Sequence, residues 1–103
     1  MFRVKGYGFR YVSGTFGTLD QALSAAHEWI DDFRLDYALI VNLETEEEMV
    51  SFWYGRHYDA WVMRESELNR GYVTYLWSRC LGFDPVDLYW DAGTYYAVWD
   101  YRN

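Results

Sequence analysis

Ser24, His27 and Asp31 fall one turn apart on what reads as a single helix, and they are the residue types of a nucleophile, a base and an orienting acid. A working triad needs the base oriented by the acid and the nucleophile set beside an oxyanion hole. A solvated helix face supplies neither, and the i,i+4 spacing of His27 and Asp31 reads instead as a surface pair. Arg56-His57-Tyr58-Asp59 offers His57 and Asp59 as metal ligands. Two candidate ligands are too few, and no second His or Cys cluster completes a site. Cys80 follows Arg79, a cation able to lower a thiol pKa, yet it shares a helical stripe with Leu76 and reads as a core residue. No phosphate-binding glycine loop, zinc motif or nucleophile elbow occurs. The expectation is a protein that is not an enzyme, takes no cofactor and holds no metal.

The elements that would position these residues are legible in outline. Phe2–Lys5 and Phe9–Phe16 read as strands around a turn at Gly6-Tyr7-Gly8. Thr18 is a good N-cap, and Gln21 three residues on completes a capping-box pattern. Leu19, Ala22, Leu23, Ala26, Ile30 and Phe33 then form one apolar stripe at helical spacing. Tyr37–Val41 follows as an apolar inner strand, Leu43–Glu47 as a polar turn and Glu48–Tyr54 as the return strand. Tyr58–Met63 fits either another strand or a loop. From Ser66, a second helix would set Leu68, Tyr72, Tyr75, Leu76 and Cys80 on one face, with Gly82 just past its end. Leu88–Trp90 and Thr94–Tyr101 flank Asp91-Ala92-Gly93, a hairpin turn with glycine at the left-handed position. The pattern predicts an α+β fold, a small antiparallel or mixed sheet with two helices packed on one face.

The 103 residues suit a single domain spanning 1–103. No apolar run approaches the roughly 18 residues of a membrane span. The segment Met1–Gly6 lacks the apolar core of a signal peptide, and a lone cysteine suits a reducing compartment, so a cytoplasmic location is expected. Sixteen acids against nine bases give a net charge of −7. Phosphate backbones and anionic lipid would repel such a chain, which disfavours direct nucleic-acid or membrane binding and favours a basic protein partner. Six Trp, eleven Tyr and six Phe are more than an interior this size covers, and Tyr and Trp are the residues that anchor interfaces. Surplus aromatics could also serve self-association, so a homodimer stays open.

The acids cluster. Glu44, Glu46, Glu47 and Glu48 crowd the predicted hairpin turn, Asp20, Glu28, Asp31 and Asp32 project from the first helix, and Asp84, Asp87 and Asp91 follow the second. Either of the first two groups could meet basic residues of a partner, since carboxylates pair bidentately with arginine. Trp53, Tyr54, Tyr58 and Trp61 lie beside the acidic hairpin in sequence and are the expected apolar anchor. Arg3, Arg10, Arg34, Arg56, Arg64 and Arg70 are spread along the chain and could neutralise part of the field.

With its size, acidity, aromatic excess and a stretch Gly14-Thr15-Phe16-Gly17-Thr18-Leu19-Asp20-Gln21-Ala22-Leu23 entering a βαββ unit, the chain resembles the small phage-encoded anti-CRISPR and anti-defence inhibitors in type. These proteins share no common signature, so no functional residue carries over. The resemblance implies a stoichiometric inhibitor that occupies a basic surface of a host nuclease or CRISPR complex, conceivably by mimicking nucleic acid. An acidic immunity protein or antitoxin capping a toxin, and a small aromatic-lined ligand-binding domain or enzyme using His57, are the alternatives.

Overall fold

Thr18 and Gln21 cap each other: the Gln21 N–H donates to Thr18 Oγ1 at 3.1 Å, and the Thr18 N–H donates to Gln21 Oε1 at 3.2 Å. This reciprocal box opens α1 (Leu19–Asp32), where the spacing placed it. The computed structural model describes residues 1–55, 60–66, 71–82, 84–91 and 93–99. Their strands are β1 (Phe2–Gly8), β2 (Val12–Phe16), β3 (Leu35–Asn42), β4 (Glu47–Gly55), β5 (Ala60–Ser66), β6 (Asp87–Asp91) and β7 (Thr94–Trp99), with α2 (Tyr72–Leu81) between β5 and β6. They form one seven-stranded sheet in the order β2-β1-β3-β4-β5-β7-β6. Every pairing is antiparallel, so the α+β class holds with a sheet larger than expected and not mixed.

Strand alternation decides the layering. Val4, Ala38, Ile40, Val50, Phe52, Met63, Ala97 and Trp99 point to one face and are buried there. They pack with Ala22, Leu23, Ala26 and Ile30 of α1 and with Val73 and Trp77 of α2 in a single core. The Phe52 and Trp77 rings, 4.5 Å apart, join sheet to helix at its centre. Burying side chains of this size contributes about 1.5–3 kcal/mol each, which is what holds the helices to this face.

Three expectations are corrected. Gly6-Tyr7-Gly8 is not a turn but the end of β1, pairing with β3 as far as Leu35. A Cβ on Gly8 would stand 2.6 Å from the Arg34 carbonyl oxygen, so this glycine permits close backbone approach. The second helix begins at Tyr72, not Ser66, because Ser66 closes β5. Its buried face is Val73, Thr74 and Trp77, while Tyr72 and Tyr75 face outward; Leu68 lies outside the described residues. Tyr58–Met63 is resolved in favour of a strand from Ala60 onward. The final hairpin forms with Gly93 at φ +78°, but Asp91 closes β6 by pairing with Thr94 instead of entering the turn.

Candidate partner-binding surfaces

The β3–β4 turn is built so that its carboxylates face outward. The Glu44 N–H donates to Asn42 Oδ1 at 3.0 Å and the Glu47 N–H to Thr45 Oγ1 at 3.3 Å, so short polar side chains hold the backbone. Glu44, Glu46, Glu47 and Glu48 are all exposed. Glu44 Oε1 lies 3.7 Å from the terminal amino group of Met1, and Glu48 Oε1 lies 3.2 Å from Arg64 Nη2. Partial burial disfavours the Arg64 charge, but the hydrogen bond and attraction to Glu48, helped by Tyr96 and Tyr37, raise its pKa above the ordinary value.

On α1, Asp20, Glu28 and Asp32 are exposed, and the side chain of Asp31 lies outside the described residues. At 1.5 Å rise per residue, Glu28 is about 12 Å along the axis from Asp20 and about 6 Å from Asp32. The two pairs just named are the ion pairs among the described residues. Arg3, Arg10, Arg34 and Arg79 make none, and the Arg79 guanidinium lies 5.8 Å from the centre of the Tyr75 ring. The intramolecular neutralisation foreseen for the arginines therefore reaches one of the described ones, Arg64.

The expected aromatic anchor comes apart. Trp61 is only 7% exposed and belongs to the core, because β5 alternation turns it toward the helices. It is corrected from an exposed anchor to a structural residue. Trp53 faces the other way, half-buried on the sheet face that no described helix covers, with its ring 6.4 Å from Tyr96. Tyr54 pairs with Trp61 in register, and its side chain lies outside the described residues, as does all of Tyr58. Trp53 stands five strand residues from Glu48, about 17 Å away, so turn and anchor are neighbours only loosely.

Sequence reasoning missed the company Trp53 keeps. Tyr7, Tyr37, Leu39, Trp53, Tyr96 and Tyr89 share its face by register. The Tyr7 ring is 5.1 Å from Tyr11 and 5.8 Å from Tyr37, and Tyr89 stacks on Tyr96 at 4.9 Å. Beneath this band Ser51 is wholly buried, and its Oγ has no hydrogen-bond partner. Period-two alternation could have found the band had the pairing order been known.

The His27 ring meets the edge of Trp77 at 5.7 Å, packing between the helices, while Ser24 is exposed. Burial pushes the Cys80 thiol up, and Glu28 and Asp20 add to that against a hydrogen bond from Ser24, so the thiolate is disfavoured. Among the described residues no three His, Cys, Asp or Glu side chains gather closely enough to hold a metal, and His57 and Asp59 lie outside that set. No described helix is long and apolar enough to cross a membrane. No protein-family model, curated protein or solved structure matches the chain.

Proposed function

We propose that the chain is a non-catalytic, acidic inhibitor that binds a basic surface of a nucleic-acid-handling protein in the cytoplasm, in the manner of the anti-CRISPR inhibitors it resembles. The observation that carries this reading is the state of the carboxylates. Asp20, Glu28, Asp32, Glu46 and Glu47 are exposed and outside any ion pair among the described residues, so they remain available to a partner's arginines and lysines. Their spacing on α1, about 6 and 12 Å along the axis, sets out carboxylates that a partner's arginines and lysines can meet singly.

The test is capture of the tagged protein from bacterial lysate containing CRISPR complexes and nucleases, followed by a salt challenge. A stoichiometric nucleic-acid-binding partner that dissociates at moderate salt is expected. Replacing Glu28 and Asp32 with Gln, and separately Glu44, Glu46 and Glu47 with Gln, should lower affinity and flatten its salt dependence for whichever set makes contact. Retention of full affinity by both sets of variants overturns the reading.

A further inference from the structure

The sheet face opposite the helices differs in charge from the rest of the molecule. By register it carries Arg3, Lys5 and Arg64 against Glu48, Asp87 and Asp91, in balance in a chain that carries −7 overall. The remaining surface, α1 and the β3–β4 turn above all, is acidic and repels a second copy of itself. The sheet face does not. It also carries Tyr7, Tyr37, Trp53, Tyr96 and Tyr89, aromatic side chains of the kind enriched at interfaces. We infer that this face is the contact surface of a homodimer, two copies packing sheet to sheet.

Geometry supports a second copy as the occupant. An isologous pair brings each surface against itself through a two-fold axis. With that axis along the strands at β4, the centre of the sheet, β1 of one copy lies over β7 of the other and β2 over β6. Lys5 then lies level with the stacked pair Tyr89–Tyr96, where cation–π contact favours association, and Tyr7 lies level with Asp87. Trp53 meets its own copy at the axis, and Tyr37 lies over Val62 of the other copy. Strands at about 4.8 Å spacing and 5–6 residues long give this face on the order of 500 Å2 in projection. Side-chain relief brings that toward the roughly 800 Å2 per partner of a standard interface. Ser51 and Val62, already buried beneath this layer, become the floor of a second core.

Sedimentation velocity and light scattering on the full chain across about 5–500 μM test this. A mass near twice 12.4 kDa at the upper concentrations is expected. Arg3→Glu with Lys5→Glu makes the face acidic without touching the core, and should return the protein to monomer by weakening association at least tenfold. Trp53→Ser should do the same, while Asp20→Lys with Glu28→Lys on α1 should leave the mass unchanged. Far-ultraviolet circular dichroism confirms folding of each variant. A monomer throughout the range overturns the inference and leaves the face to a different protein partner. A dimer that survives both face variants, or that the α1 variant dissolves, overturns it as well.

Discussion

Glu65 of β5 caps α2 through Thr74: the Thr74 N–H donates to Glu65 Oε2 and the Thr74 hydroxyl to Glu65 Oε1, both at 3.2 Å. Gly71, at the N-cap position, has no side chain to do this. The carboxylate reaches across from the sheet instead, 1% exposed, with the Gly71 and Val73 N–H groups also favouring its charged form. A strand thus supplies the acceptor that a helix start ordinarily finds in its own sequence. Removing it with Glu65→Ala should cost about 1–3 kcal/mol, the penalty of stranding buried donors, and equilibrium denaturation would measure it.

The same carboxylate makes stability depend on pH. Burial raises the Glu65 pKa, outweighing the amide and hydroxyl donors that lower it. A raised folded pKa means that the contribution to stability is complete below the unfolded value, about 4.3, and is lost as pH climbs through the folded value. Glu65→Gln keeps an acceptor for Thr74 and carries no charge at any pH. Its stability relative to wild type should therefore improve as pH rises above about 4.3, levelling off once the folded carboxyl has ionised. Urea titrations of both proteins from about pH 4 to about pH 8 decide the matter, and a constant difference would mean that Glu65 does not titrate there.

Gly8 separates two backbones. A Cβ at this position would lie 2.6 Å from the Arg34 carbonyl oxygen and 2.9 Å from Leu35 Cα, and neither is the end of a flexible side chain. The strand pairing already shifts register between Tyr7 and Gly8, so no slack remains to absorb a methyl group. Gly8→Ala should lower stability by about 1–3 kcal/mol, the range for overpacking. Hydrogen exchange would locate the loss at the Gly8–Leu35 end of the β1–β3 ladder, and uniform protection would contradict this account.

Glu46 occupies left-handed backbone at φ +59° in the β3–β4 turn, a conformation that strains a residue bearing a Cβ. Glu46→Gly should relieve that strain and stabilise the fold by about 0.5–1 kcal/mol, part of the gain being offset by the freer unfolded chain. Thermal unfolding would show it as a higher midpoint. An unchanged or lower midpoint would mean that the Glu46 side chain contributes more than its backbone strain costs.

What could be read from the sequence was local. Thr18 and Gln21 lie three residues apart and cap each other with no help from the rest of the chain, so the start of α1 was legible to the residue. The final hairpin was legible for the same reason, since Gly93 and its flanks decide it. The start of α2 was not, because its cap comes from Glu65 in another element. Nor was the insertion of β7 between β5 and β6, which depends on pairings formed after the chain has crossed over through α2. The acids of the turn and of α1 were found because charge clusters show in sequence. The aromatic face was hidden because Tyr7, Tyr37, Trp53 and Tyr96 come from four strands and meet only once the sheet is ordered.

Trp53 and Trp61 make that lesson measurable. They sit near each other in sequence, yet alternation sends Trp53 to the uncovered face and Trp61 into the core beside Trp99 and Met63. Trp61→Ala should cost about 3–5 kcal/mol, enough to unfold a domain of ordinary stability. Trp53→Ala removes a half-buried ring that rests on Tyr96, and should cost less than half as much. Its larger effect should fall on association through the sheet face. Paired denaturation and sedimentation experiments on the two variants separate these roles. Equal losses of stability would mean that the sheet's second face is as much a part of the fold as the first.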